Sequence, residues 1–364
     1  MQIIYTQIDR DAENVPTFRS YTLRVDPDEY FYPASTVKLP TAALALEKLN
    51  RLDRRGLDRD TIMLTGRAEP FQTEADIDET SRTGLPSVGQ YIRKILLVSD
   101  NDAYNRLYEF LGQAELNESM RAKGFLGTRI VHRLELVLTP EQNRQTNPVR
   151  FLRGDETVYS QPARQSEENY LGSEPVPLGQ AEIVAGERVA EPKDFAEKNA
   201  LPLQDLHDTI KAIMFPGSLP ASRRFDLTED DYAFLRHEMS AYPGESGITD
   251  YTDSLRYPDG YVKFLLFGGS EAEIPEGIRV FNKVGDAYGF LTDAAYIVDF
   301  DHGIEFMLAA TIYTNANGTF NDNDYEYEEV GLPFLKSLGQ VIYDFELSRQ
   351  REYSPDLSEL KNLR

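Results

Sequence analysis

The sequence predicts an α/β fold in which one antiparallel sheet is assembled from both chain ends and flanked by helices, with a mostly helical region inserted between them. Three observations predict it. Period-two alternation marks the first 25 residues, and three β-rich runs separated by turns lie between 279 and 314. Apolar stripes at helical spacing fill most of the chain between them. The expected organisation is a sheet domain of residues 1–34 plus 270–364 and a mostly helical domain of 35–269. The helical part contains a Pro/Gly-rich insertion at about 153–199.

The elements follow in order. Ile4/Thr6/Ile8 and Tyr21/Leu23/Val25, with a turn-rich stretch from Asp9 to Pro16 between them, predict a hairpin. From Ser35 the period changes, with Leu39, Ala42/Ala43, Leu46 and Leu49 forming a helical face that stops in the polar stretch Asn50 to Gly56. Ser87 and Gln90 form a capping-box pattern ahead of Val88, Tyr91, Ile92, Ile95 and Leu96, a second helix ending at Ser99-Asp100-Asn101. Ala103, Leu107 and Leu111 carry a third helix to Gly112, and a short one covers Gln113 to Lys123. Within the insertion, Ile183-Val184 and Arg188-Val189 flank Gly186 as a hairpin.

Helices return at Leu203 to Phe215 and Glu229 to Met239. The acid run Asp226 to Asp231 reads as a cap at the positive end of the second of these, not as a metal site. Strands follow at Arg279 to Gly285, Ala294 to Phe300 and Ile304 to Thr314. A last helix carries Leu335, Leu338, Ile342 and Phe345.

Composition narrows the function. With 61 acidic against 38 basic residues the formal charge is −23, which repels phosphate backbones, so no nucleic-acid partner is expected. Zero cysteines exclude a thiolate nucleophile, a disulfide framework and Cys-type zinc sites, and leave the redox compartment open. Apolar runs fall short of the ~20 residues a membrane span needs, and the first residues read as a strand with no signal-peptide pattern. The four histidines, His132, His207, His237 and His302, are isolated in sequence. The stretch Asn315 to Asp324 lacks EF-hand spacing, and no phosphate-loop or dinucleotide glycine pattern is present, so neither metal nor cofactor is expected.

The chemistry lies in three short motifs. Ser35-Thr36-Val37-Lys38 sets a hydroxyl and an amine three residues apart at a helix start, where i and i+3 side chains are neighbours. A serine becomes nucleophilic when a base takes its proton, and an amine serves as that base when burial or nearby cations lower its pKa. Ser99-Asp100-Asn101 sits between two helices, and Lys283-Val284-Gly285 lies in a strand. Together, in this order, the three resemble the motif set of the class A β-lactamase and penicillin-binding serine hydrolase superfamily. The resemblance is carried by FYPASTVK at Phe31 to Lys38, VSDNDAYNRL at Val98 to Leu107 and FNKVGDAYG at Phe281 to Gly289. It covers most of the chain outside the 153–199 insertion and the tail after Ser348.

The resemblance implies a β-lactamase/transpeptidase-like fold and a serine hydrolase acting through a covalent acyl-enzyme, with no cofactor. Ser35 is then the nucleophile, Lys38 its activating partner, and Ser99 the proton relay to the leaving nitrogen. Asn101 and Lys283 hold substrate. Gly285 and Asp286 complete the substrate-binding strand, with the backbone N–H groups of Ser35 and Asp286 as the oxyanion hole. The implied substrate is a β-lactam or a cell-wall peptide-like molecule, and the implied location is periplasmic or exported.

Two departures stand out. Val284 replaces the usual hydroxyl of Lys-Thr-Gly and Asp286 adds a negative side chain, while the Glu-x-x-x-Asn arrangement that activates the deacylating water is absent. Glu135, in Arg133-Leu134-Glu135, and Glu141 are the candidates for that role, Glu135 fitting the position better. Three functions therefore stay open: β-lactamase-like hydrolysis, a slowly deacylating DD-peptidase, esterase or penicillin-binding sensor, and a non-catalytic binding module whose cleft the insertion covers.

Overall fold

A computed structural model of the chain describes residues 1–269 and 274–363. The expected domain boundary at residue 270 and the last residue, 364, lie outside the described residues. Strands β1 (Gln2–Arg10) and β2 (Pro16–Leu23) form the N-terminal hairpin, in register from Ile3 opposite Leu23 to Arg10 opposite Pro16. The Asp11 carboxylate closes the turn by accepting from the Glu13 and Val15 amides.

A 3-10 turn at Ala34–Val37 runs into α1 (Lys38–Leu52). Strand β3 (Ile62–Thr65) precedes α2 (Val88–Val98), whose cap Ser87 accepts from the Gln90 amide. The Gln90 side chain turns instead to Thr80, so the expected capping box forms only half. Helix α3 (Asn101–Leu111) is capped by Asp100, and Gly112 separates it from α4 (Gln113–Ala122). The one-turn α5 (Pro140–Asn143) carries a full capping box from Thr139.

Strands β4 (Val149–Arg153) and β5 (Glu156–Gln161) pair with β3 in a small antiparallel sheet. Short strands β6 (Pro177–Leu178), β7 (Ala181–Val184), β8 (Glu187–Val189) and β9 (Lys193–Asp194) occupy the Pro/Gly-rich segment, β7 and β8 being the expected hairpin. Helices α6 (Leu203–Met214) and α7 (Glu229–Ser240) follow; α7 is capped by a Thr228–Asp231 box, which accounts for the acid run.

After the single turn α8 (Phe264–Phe267) come β10 (Ile278–Ala287), β11 (Phe290–Asp299) and β12 (Ile304–Tyr313). Then β13 (Thr319–Phe320), α9 (Leu332–Ser348) and α10 (Ser358–Lys361) complete the chain. The main sheet is antiparallel with strand order β10-β11-β12-β1-β2, so the N-terminal strand lies between strands from the two chain ends. Alternation along β10 and β11 splits their side chains between two cores. Phe281, Ala294, Tyr296 and Val298 face the helices α1–α3, α6 and α7, whereas Val280, Val284, Leu291 and Ile297 face α8 and α9. In α9, Leu335 is fully buried while Phe345, expected on the same stripe, is exposed, its ring edge-on to Tyr5.

The Pro/Gly-rich segment packs onto this body. Phe195 and Asn199 are fully buried, and β7 pairs in parallel with β13, Thr319 opposite Ala181. Among the described residues no helix is long and apolar enough to cross a membrane.

Candidate active site

The candidate nucleophile sits on a tight turn. Ala34, the residue before Ser35, takes a left-handed φ of 46°, and the chain then winds through the 3-10 turn into α1. Lys38, the first residue of α1, is fully buried and its Nζ lies 2.8 Å from Ser35 Oγ. The same nitrogen donates to the Ser99 carbonyl oxygen at 2.5 Å and to Asn101 Oδ1 at 2.6 Å, and lies 3.2 Å from Ser99 Oγ. Burial, and then the neighbouring Lys283, hold its pKa well below the usual lysine value. A neutral amine has two N–H bonds, and the two acceptor-only oxygens take both. Its lone pair is left facing the two serine hydroxyls, which is the arrangement a general base requires.

Ser99 reaches this position because it ends α2 with a left-handed φ of 57°, bending the chain so that its carbonyl and hydroxyl both face Lys38. Its hydroxyl lies 2.9 Å from Lys283 Nζ, so Ser99 stands between two lysines. Burial lowers the Lys283 pKa to about 7, against the partial support of Asp286 and Asp293. Ser35, Lys38, Ser99, Asn101 and Lys283 thus meet in one cluster, although its parts are 61 and 184 residues apart in sequence.

Strand β10 closes the cluster. A Cβ at Gly285 would lie 2.6 Å from the Pro33 carbonyl oxygen and 2.9 Å from the Ser35 and Thr36 amide nitrogens. Only glycine lets the strand run this close to the turn, so Gly285 sets the spacing between the Ser35 amide and the amide of the next residue, Asp286. Val284 is turned away from the cleft, buried among Leu291, Ile297 and Leu335. The Asp286 side chain is exposed, and the protein around it raises its pKa although Lys283 and then Lys38 pull it down.

The two candidate glutamates separate. Asn101 and Asn105 are four residues apart on one face of α3. Asn101 receives Lys38, while Asn105 clasps the backbone of Leu134, donating to its carbonyl at 3.0 Å and accepting from its amide at 2.9 Å. Glu135 follows immediately, with a left-handed φ of 58°, an exposed side chain and an electrostatic influence on Lys38. Glu141 lies elsewhere, exposed and engaged with Arg144 and Gln165. Thr139 stands where a Glu-x-x-x-Asn arrangement starting at Glu135 would need asparagine.

A model of the β-lactamase enzyme family matches residues 11–172, which include Ser35, Lys38, Ser99, Asn101 and Glu135. The match covers less than half of the chain; what the chain shares with β-lactamase structures over its length is the fold. Among solved structures, the chain is similar to a β-lactamase from Burkholderia ambifaria, with 16% identity, TM-score 0.50, and 96% of this chain and 95% of that one covered. A structure described as PBP-A gives 16% identity and TM-score 0.51 over 94% of this chain and 90% of that one. A class A β-lactamase from Mycobacterium abscessus gives 16% and 0.50 over 95% and 93%. At these identities the likeness is one of fold. No curated protein matches the chain. The match over residues 11–172 supports a β-lactamase-like serine hydrolase.

Several supporting residues were not singled out from the sequence. Asn105 is one. Another is the buried trio Arg106, Glu109 and Arg133, in which Glu109 pairs with both arginines and Arg133 donates onward to the Gln145 carbonyl, bracing the loop that carries Glu135. The spacing of Asn101 and Asn105 is the one local signal that points to the first. Behind the cleft, Lys263 donates to the Met239 carbonyl and Asn282, which in turn donates to Asp293. His132, read as an isolated histidine, is stacked on Tyr32, and burial lowers its pKa to about 4, so it is neutral near pH 7.

Proposed function

We propose that the protein is a serine hydrolase that works through a covalent acyl-enzyme at Ser35, and that its leading activity is β-lactamase-like hydrolysis of a β-lactam amide. The observation that carries the reading is the buried, low-pKa Lys38 held 2.8 Å from Ser35 Oγ by Ser99 and Asn101. In acylation, Lys38 Nζ takes the Ser35 proton while Oγ bonds to the carbonyl carbon. The oxyanion rests on the Ser35 and Asp286 amides. The carbon–nitrogen bond then breaks, Ser99 gives its proton to the departing nitrogen, and a lysine beside it restores that proton. Water completes the cycle by releasing the acid and returning the Ser35 proton.

Glu135 is the proposed base for that water; its electrostatic influence on Lys38 and the Asn105 clasp on the residue before it support this role. A second reading, a penicillin-binding peptidase, esterase or sensor that is acylated and releases slowly, is favoured by the exposure of Glu135 and by Thr139 in place of asparagine. A periplasmic or exported location belongs to the same proposal. Steady-state turnover of a chromogenic cephalosporin separates the two: sustained hydrolysis supports the first, and a burst of one equivalent followed by a slow phase supports the second. Absence of both a burst and turnover would count against either.

A further inference from the structure

We infer that the cleft accepts an acyl donor carrying a positive charge beside its leaving group, and that the Asp286 carboxylate receives that charge. The inference rests on the acyl-enzyme reading above and names the substrate class of the same site.

Four observations lead to it. Asp286 follows Gly285, which is pressed against the Ser35 turn, so its backbone borders the place where the carbonyl would react, and its exposed carboxylate acts electrostatically on Lys38. Among the described residues, the cations that act appreciably on this carboxylate are Lys283 and Lys38, both buried, with the pKa of Lys283 lowered to about 7 and that of Lys38 held well below the usual lysine value. Val284 faces the α9 side of the sheet, where it offers no hydroxyl to an anionic group.

The fourth observation is aromatic. Tyr261, 41% exposed, and Tyr327 both lie within electrostatic reach of Asp286. A carboxylate with tyrosines in reach suits an ammonium group, which gains an ion pair, and cation–π attraction where it meets a ring face, while keeping part of its hydration. A carboxylate in the same place meets like charge. The exposed Glu135, which also acts on Lys38, and the net charge of −23 add to that bias and steer cations toward the protein.

The test compares three acyl donors that share one reacting amide: benzylpenicillin, its methyl ester and its diethylaminoethyl ester, which are anionic, neutral and cationic. Second-order rate constants for adduct formation at Ser35 are read by intact mass. The cationic ester is expected to react about tenfold faster than the methyl ester, equivalent to about 1.4 kcal/mol, with the free acid slowest. Asp286→Asn keeps the backbone amide and removes the charge; in that variant the cationic and neutral esters are expected to react within twofold of each other. The inference is overturned if the free acid reacts as fast as the cationic ester, or if the preference survives in Asp286→Asn. Labelling of Ser35 by a fluorophosphonate without any adduct from the three penicillins would overturn the inference and leave the nucleophile standing. Failure of both kinds of reagent would remove the acyl-enzyme reading as well.

Discussion

Replacing Gly285 by alanine tests the close approach on which the oxyanion hole depends. The added methyl would sit 2.6 Å from the Pro33 carbonyl oxygen and 2.9 Å from two backbone nitrogens, and none of these atoms belongs to a side chain that can swing aside. Restoring ordinary contact requires β10 and the Ser35 turn to separate by roughly 0.5–1 Å, a misplacement that costs about 10²-fold when it falls on reacting groups. Overpacking of this kind costs about 1–3 kcal/mol in stability. The assay is the rate of Ser35 acylation under pseudo-first-order conditions, with thermal unfolding of the same sample. Acylation slower by about 10²-fold, with a melting temperature lower by a few degrees, is expected. An alanine variant that acylates within twofold of the parent would refute the assigned role of the strand.

Other outcomes follow from the same geometry. Lys38→Arg keeps a cation but loses the base, because a guanidinium stays protonated, so acylation is expected to fall by about 10²–10⁴-fold at every pH below 10. With Lys283 lowered to about 7, its charge is present below that pH and lost above it. If that charge feeds the Ser99 relay, acylation declines as pH rises past about 7, and Lys283→Arg removes the decline; a profile flat from pH 6 to 9 contradicts the relay. Asn105→Ala frees the Leu134 backbone, and the adduct is expected to persist about tenfold longer, with stability lower by about 1–3 kcal/mol from the unpaired buried groups. Unchanged release would detach Glu135 from deacylation.

Much of the architecture was legible because it is local. The hairpin at the start, the Ser87 cap, the helix stop near Ser99 and the strands from about Arg279 onward each announce themselves within about ten residues. The Ser35–Lys38 contact is legible for the same reason, since i and i+3 on a helix must meet. What was hidden depends on pairing at long range. The small sheet of β3, β4 and β5 brings residue 62 beside residue 152, and β13 is a two-residue strand with no period to detect. Which way Val284 faces follows from the register of β10 against β11, not from the Lys-Val-Gly tripeptide. Gly285 looked like part of a binding motif, and the structure adds a steric reason for it. Glu135 and Glu141 were both candidates in sequence, with Glu135 the better fit; a clasp from Asn105, 29 residues before Leu134, sets Glu135 apart in the structure.

The central claim is that Ser35 forms an ester with its substrate. Intact-protein mass followed over time after mixing with a penicillin and a cephalosporin, with Ser35→Ala in parallel, tests it most directly. The account predicts an added mass equal to the whole β-lactam on the parent protein, mapped by peptide digestion to the segment containing Ser35, and none on Ser35→Ala. An adduct of the same mass on the alanine variant would contradict it.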